Sequence, residues 1–158
     1  MIETSVKCVI KEPLTSRYIL VLETLCGHYM VPVYIGDFEA ESIYCILNKI
    51  QSPRPMTYDF ISGIINYLDE VNIDRVVVDR FEDGVYKASV FVNCNKEEKQ
   101  IDCRPTDAVS LALRMNIPVY VEDDILDQKC VDKTCINPID SKTLDSLISD
   151  HSATFWHQ

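Results

Sequence analysis

Glycine and long apolar runs are scarce in this sequence, and each shortage excludes a class of protein. The 158 residues include four glycines, which argues against collagen and against a long glycine-rich phosphate loop. No apolar stretch approaches the roughly 18–20 residues of a membrane-spanning helix, so we expect no membrane partner. The Walker A pattern, the dinucleotide pattern Gly-x-Gly-x-x-Gly and the zinc-protease pattern His-Glu-x-x-His are also missing.

Basic residues are outnumbered by acidic ones. The chain has 15 Lys and Arg against 25 Asp and Glu, which gives a formal charge of −10 at neutral pH. Proteins that hold nucleic acid chiefly by neutralising phosphates with Lys and Arg are basic, so this charge counts against that mode of binding. Half of the acidic excess falls in residues 122–158, where it favours a solubilising surface.

Paired cysteines are absent as well. The seven cysteines are odd in number and contain no Cys-x-x-Cys pair, so neither a disulfide framework nor a standard zinc motif is expected. Several of them occupy apolar positions of predicted strands, where reduced cysteine packs as a small hydrophobic residue. We therefore expect a reduced, cytoplasmic protein.

What the chain does contain is the hydrophobic periodicity of an α+β fold. Alternation and apolar runs predict two sets of three strands, at residues 2–11, 17–25, 29–35, 73–81, 86–92 and 97–103. Helical periodicity predicts helices at about residues 37–51, 58–70, 105–116 and 141–149. A short strand at 118–121 and a helical turn at 122–129 complete the prediction.

The two sets of strands, each followed by a helix, indicate two related β-β-β-α units in a single compact domain. Aligning the helix starts places residues 39–43 (EAESI) over residues 107–111 (DAVSL), a weak internal repeat. We expect this domain to cover residues 1–130. Residues 131–158 are predicted to form an acidic C-terminal extension with one amphipathic helix.

Two helix starts carry the most unusual local chemistry. Residues 53–59 (PRPMTYD) and 102–108 (DCRPTDA) each combine an Arg-Pro pair with a hydroxyl and a carboxylate. Free backbone N–H groups, the helix dipole and a guanidinium together favour an anion such as phosphate. The same residue types also make ordinary helix starts, in which Arg54 and Arg104 would only pair with nearby carboxylates. Both interpretations stay open from the sequence.

Carboxylates near these helix starts suggest a metal site. If the starts converge, oxygen ligands for a divalent ion could come from Glu39, Asp59, Asp102 and Asp107. Metal-assisted phosphodiester cleavage needs such ligands, and the two arginines would neutralise the phosphoryl charge in the transition state. Cys103 adjoins Arg104, which allows a lowered thiol pKa, although its inward strand phase favours core packing.

Three stretches resemble motifs of the bifunctional nuclease domain family: residues 31–40 (VPVYIGDFEA), 53–59 (PRPMTYD) and 102–113 (DCRPTDAVSLAL). The resemblance covers roughly residues 5–130. It implies a compact α+β domain, self-association into a homo-oligomer, and nuclease activity, which some members show on both RNA and DNA. By motif position the site residues carried over are Glu39, Arg54, Thr57, Asp59, Arg104, Thr106 and Asp107.

One position departs from the family pattern. The usual histidine before the aspartate of the second motif is Tyr58 here. A tyrosine can donate a hydrogen bond, but its pKa near ~10 makes it a poor base at neutral pH. If the histidine is a base or a metal ligand in active members, this chain is impaired.

We therefore predict a metal-assisted nuclease with five catalytic residues: Glu39, Arg54, Asp59, Arg104 and Asp107. The arginines would bind phosphate, and the carboxylates would hold Mg²⁺ or Mn²⁺ or activate water. The alternative is a non-catalytic regulatory or binding module that grips an anionic ligand or a protein partner and self-associates. Convergence in an open cleft would favour the nuclease, whereas burial as matched ion pairs would favour the module.

Overall fold

A computed structural model describes residues 1–12 and 15–132 of the chain. Within these residues the strands are β1 (Ile2–Lys11), β2 (Tyr18–Thr24), β3 (Tyr29–Ile35), β4 (Val71–Glu82), β5 (Val85–Cys94), β6 (Glu97–Cys103), β7 (Val119–Val121) and β8 (Val131–Asp132). The helices are α1 (Asp37–Leu47), α2 (Thr57–Asn66), α3 (Pro105–Met115) and α4 (Asp123–Lys129). None of the helices in this part of the chain has the length and apolar character to cross a membrane.

The strands form one mixed sheet in the order β6-β5-β4-β7-β1-β2-β3-β8. Strands β1, β2 and β3 form one antiparallel meander, and β4, β5 and β6 form a second. The short strand β7 joins them, because it pairs antiparallel with β1 and parallel with β4. The two meanders therefore share one continuous sheet rather than packing as separate units.

Helix α3 lies at the centre of the helical layer. It contacts β4 and β5 below it and both α1 and α2 beside it. Small residues such as Ala108 and Ala112 are buried along α3 and let it approach the sheet, where Val76 and Val78 are fully buried. Helices α1 and α3 each begin within two residues of a strand end. These short connections place the starts of α1 and α3 beside the ends of β3 and β6.

The predicted α+β class is confirmed, and each of the predicted strands is present. The first two helices are shorter than predicted. Helix α1 ends at Leu47 because Lys49 adopts a left-handed conformation with φ of 56°. Helix α2 ends at Asn66 because the chain turns there and enters β4 at Val71, whose N–H donates to the carbonyl of Leu68.

The two-unit interpretation stays a prediction. Both β-β-β-α segments are present, but α2 follows the first, whereas β7 and α4 follow the second. The proposed division of the chain at residue 130 also stays a prediction. The predicted helix at 141–149 lies outside the described residues.

Candidate functional site

Each of the first three helices has a carboxylate as its third residue. These residues are Glu39 in α1, Asp59 in α2 and Asp107 in α3. A carboxylate in this position sits at the positive end of the helix dipole and can fold back onto the residue that caps the helix. In α2, Asp59 Oδ2 accepts a hydrogen bond of 2.8 Å from the backbone N–H of Met56. Ordinary helix-start preferences therefore place all three predicted acids.

The guanidinium of Arg104 joins the starts of α1 and α3. Its Nε and Nη2 donate to the two carboxylate oxygens of Asp107, both at 2.9 Å. Its Nη1 donates to Oε1 of Glu39, also at 2.9 Å. The Arg104 side chain is nevertheless 65% exposed. These contacts fix the orientation of a positive group that still faces solvent.

The position of Glu39 depends on Gly36. A Cβ atom added at Gly36 would lie 2.4 Å from Oε2 of Glu39, so the carboxylate folds back over the start of α1 into space that a side chain would fill. The φ of Gly36 is −81°, which any residue can adopt. Free space, rather than an unusual backbone conformation, is what this glycine provides.

Tyr58 adds a donor from α2. Its hydroxyl donates to Oδ1 of Asp107 at 2.5 Å. Burial and this hydrogen bond raise the pKa of the Tyr58 phenol well above its ordinary value of 10, so Tyr58 stays protonated. Burial acts to raise the pKa of Asp107, but hydrogen bonds from Arg104 and Tyr58 outweigh it and lower the pKa below its ordinary value.

Sequence reasoning missed Arg114, which ties all three helices together. Its side chain is only 5% exposed. Its Nε donates to Oδ1 of Asp59 on α2, its Nη1 to the carbonyl of Ser110 on α3 at 3.1 Å, and its Nη2 to Oγ of Ser42 on α1 at 3.2 Å. The guanidinium also lies 5.5 Å from the centre of the Tyr58 ring. The buried Arg114 therefore holds α1 and α2 against α3, whose first turn is preceded by the exposed Arg104.

The sequence carried little signal for Arg114. Ser42 accepts from Arg114 through its hydroxyl, whereas Ser110 accepts through its backbone carbonyl, which any residue at that position would offer. The partners lie 72 and four positions away along the chain. Only the second spacing is visible as a local helical pattern.

Glu39, Tyr58, Arg104 and Asp107 form one hydrogen-bonded cluster. Arg54 does not join it. It is exposed, and its backbone N–H lies 3.4 Å from the Ser52 hydroxyl. Within the described residues its side chain makes no hydrogen bond or ion pair, so the predicted pairing with Asp59 is not formed. Of the two threonines in the motifs, Thr57 is exposed and Thr106 is buried.

Asp102 and Cys103 also lie outside the cluster. Asp102 is exposed, and its Oδ1 lies 3.7 Å from Nη2 of Arg80. Burial, with the nearby charge of Asp107, raises the pKa of the Cys103 thiol to about 11. The hypothesis of a lowered thiol pKa is therefore wrong, and Cys103 packs against the hydrophobic core.

The donor set does not fit a resident divalent cation as it is arranged. Glu39 and Asp107 both direct oxygens at the Arg104 guanidinium, which lies between them. Asp59 is hydrogen-bonded to Arg114 instead. In the stretches that the structure describes, no three His, Cys, Asp or Glu side chains are grouped to hold a metal ion. The four acids named from the sequence therefore do not surround one point.

Comparisons with known proteins cover the same region. A family model described as the bifunctional nuclease domain matches residues 20–134. A Mycobacterium tuberculosis protein named only as uncharacterized is 32% identical over 110 residues, which are 70% of this chain and 65% of that protein. Bifunctional nuclease 1 of Oryza sativa subsp. japonica is 25% identical over 97 residues, which are 58% of this chain and 28% of the rice protein. All five predicted catalytic residues fall within the family match.

Proposed function

Because this chain belongs to the bifunctional nuclease domain family, we propose that it is a nuclease that hydrolyses phosphodiester bonds of RNA, DNA or both. The observation that carries the proposal is the exposed guanidinium of Arg104, held in place by Glu39 and Asp107. Three of its N–H groups donate to these carboxylates, and its remaining N–H groups can donate to phosphate oxygens. A fixed guanidinium is suited to stabilise charge that develops on a phosphoryl group.

The other residues support distinct steps. Asp107 is ionised and holds Arg104 through two hydrogen bonds. Glu39 accepts one hydrogen bond from Arg104, and we assign its carboxylate to take the proton of the attacking water as the new P–O bond forms. The ester P–O bond breaks, and the leaving oxygen takes a proton from solvent. Tyr58 stays protonated, so it acts as a hydrogen-bond donor and not as a base.

A requirement for Mg²⁺ or Mn²⁺ stays a prediction, and no step above is assigned to a metal. A cytoplasmic location also stays a prediction. We keep Arg54 as a second phosphate-binding group, because its guanidinium is exposed and makes no ion pair within the described residues.

The test is cleavage of fluorescent single-stranded RNA and DNA with added Mg²⁺, Mn²⁺ or EDTA. We expect Arg104→Ala to lower the cleavage rate about 10²-fold or more, and Arg54→Ala to weaken substrate binding with a smaller effect. Arg80→Ala is the matched control, because Arg80 is an exposed arginine whose ion pairs are with Asp79 and Asp102 rather than with Glu39 or Asp107. Equal cleavage by the native protein and Arg104→Ala would contradict this site.

A second candidate function is a non-catalytic module that binds an anionic ligand. The observation that favours it is Tyr58, which occupies the histidine position of the family motif and is protonated. Tyr58→His restores an imidazole whose pKa lies near neutrality. If the native protein binds oligonucleotides without cleaving them and Tyr58→His cleaves, the module describes the native chain and the missing base explains it.

Self-association is part of both candidate functions. The C-terminal half of α2 and the residues just after it expose Ile64, Tyr67 and Leu68, with no charged side chain among residues 64–68. An exposed apolar surface of this kind favours contact with another protein surface. We propose a homo-oligomer formed through this surface, which sedimentation of the native protein and of Tyr67→Asp would test.

A further inference from the structure

Two phenylalanines are exposed at the helix starts that build the site. Phe38 is 74% exposed and directly precedes Glu39, and Phe60 is 63% exposed and directly follows Asp59. Phenylalanine is usually among the most buried residue types. We propose that these two rings stack on nucleobases, so that the substrate of the site is a single-stranded nucleic acid. This inference rests on the proposed nuclease function and specifies its substrate class.

Covalent and helical geometry keep Phe38 close to the phosphate-binding guanidinium. Its chain neighbour Glu39 accepts the hydrogen bond of Arg104 at 2.9 Å, and consecutive Cα atoms are about 3.8 Å apart. Phe38 also precedes Ser42 by one turn on the same face of α1, and Ser42 contacts Arg114. The ring therefore belongs to the end of α1 that meets α3.

Phe60 is placed in the same way on α2. It follows Asp59, whose carboxylate binds the buried Arg114, and the same arginine contacts Ser42 on α1. Each ring is thus one residue away from a carboxylate that the arginine network holds in position. A base stacked on either ring would leave its phosphate within reach of this cluster.

The charge of the chain counts against binding to duplex through many phosphate contacts. Duplex DNA carries one negative charge per about 1.7 Å, and proteins bind it by placing many Lys and Arg on the phosphates. This chain has a formal charge of −10. Unpaired bases expose faces that aromatic rings can stack on, whereas the bases of a duplex stack on one another. Stacking therefore offers an acidic protein affinity that does not depend on a basic groove.

The experiment measures binding of fluorescein-labelled oligo-dT and oligo-rU of about 12 nucleotides, and of a duplex of equal length, by fluorescence anisotropy. We expect single strands to bind more tightly than the duplex. Phe38→Ala and Phe60→Ala should each weaken single-strand binding by about 5–150-fold, while Phe38→Trp binds like the native protein. The matched control is Tyr29→Ala, since Tyr29 is an exposed aromatic at the end of β3 farthest from α1.

The salt dependence of binding separates stacking from phosphate contacts. Each phosphate contact to a single strand contributes about −0.7 to the slope of log K against log salt concentration. Phe38→Ala should leave this slope unchanged, whereas Arg104→Ala should make it shallower by about 0.7. A change of slope in Phe38→Ala equal to that in Arg104→Ala would contradict stacking.

Other outcomes also decide the matter. Unchanged single-strand binding in both phenylalanine variants, or duplex binding as tight as single-strand binding, would overturn the inference. It would also be overturned if the variants lost self-association but kept their affinity, because the rings would then form a subunit contact. Single-strand binding that depends on Phe38 but gives no cleavage would support the inference and contradict hydrolysis. Cleavage that needs Arg104 but not the rings would support hydrolysis and contradict the inference.

Discussion

The two Arg-Pro helix starts are alike in sequence and differ in structure. At the start of α3, Arg104 caps the helix and lies three residues before Asp107, so its guanidinium reaches that carboxylate within the same turn. Before α2, Arg54 lies five residues ahead of Asp59 and two residues outside the capping residue. Its side chain makes no hydrogen bond or ion pair with the described residues. The spacing of arginine and aspartate, rather than their presence, decides whether the pair forms.

The partners of the two aspartates differ in burial as well. Asp107 binds Arg104, which is 65% exposed, whereas Asp59 binds Arg114, which is 5% exposed. The start of α3 therefore presents a positive group to solvent, whereas the aspartate at the start of α2 is paired with a buried arginine. The sequence left a phosphate site and a pairing of the arginine with a nearby carboxylate as alternatives at both starts. The pairing forms at the start of α3, between Arg104 and Asp107, and Arg54 forms no such pair with the described residues before α2. The phosphate site at the start of α3 is the proposal made above.

Removing Arg114, the buried partner of Asp59, should have the largest effect on stability. Arg114→Met keeps much of the apolar stem but removes the donor to Oδ1 of Asp59 and to the Ser42 hydroxyl. A fully buried pair loses about 3–5 kcal/mol when one partner is removed. Because the Asp59 side chain is 39% exposed and can be rehydrated, we expect a loss of about 2–3 kcal/mol in the free energy of unfolding, measured with urea.

The control for this comparison is Arg54→Met, at the start of the neighbouring α2. Arg54 is exposed, and its side chain makes no hydrogen bond or ion pair with the described residues, so its replacement should change the free energy of unfolding by less than about 0.5 kcal/mol. Similar losses in the two variants would contradict the assignment of Arg114 as the structural partner.

An intermediate effect is expected at Asp107, and it should depend on pH. A carboxylate whose pKa is lowered by folding contributes stability above its ordinary pKa of 3.8, and this contribution is lost as the pH falls through the lowered value. Asp107→Asn should therefore lower the free energy of unfolding by about 1 kcal/mol at pH 7. The difference should shrink as urea titrations move from about pH 5 towards pH 3.

Asp102→Asn is the control for the pH series, because Asp102 is exposed and lies 3.7 Å from its nearest cation. We expect it to follow the native protein at every pH. A constant difference between native protein and Asp107→Asn across the series would show that the hydrogen bonds from Arg104 and Tyr58 do not hold the Asp107 pKa down.

The smallest loss of stability is expected at Gly36, where the test concerns the position of the Glu39 carboxylate rather than an ion pair. Gly36→Ala would place a Cβ atom against Oε2 of Glu39, so the carboxylate should turn away from Arg104 and the Nη1–H NMR signal of Arg104, which reports the contact with Glu39, should shift. The free energy of unfolding should fall by about 0.5 kcal/mol. Gly63→Ala has open space around the new atom and should raise stability by about 0.5–1 kcal/mol. It should leave the Arg104 signal in place.

Much of the fold could be predicted because its signals are local. The strands follow from alternation and apolar runs, and the Asp83–Gly84 pair correctly predicts the β4–β5 turn, where both residues have positive φ. The helix starts follow from proline, threonine and acidic residues in the first turn. The ends of α1 and α2 could not be predicted as well, because they depend on where the chain turns to reach the next element.

In the candidate site too, contacts between residues close in the chain could be predicted and contacts between distant residues could not. The Arg104–Asp107 pair lies within one helical turn and is visible in the sequence. The contact of Arg104 with Glu39 spans 65 residues, and that of Arg114 with Asp59 spans 55. Asp102 was grouped with the other acids because it is next to them in the chain, but it lies towards Arg80 instead.

The sequence by itself determined the α+β class, the family and the chemistry available at each helix start, because these depend on residue types at short spacing. Tertiary structure alone decided which of these groups meet. The short strand β7 joins the two meanders into one sheet, and this brings α1 beside α3. Side chains from distant motifs then come within hydrogen-bonding distance, a result that depends on sheet order and that no local pattern records.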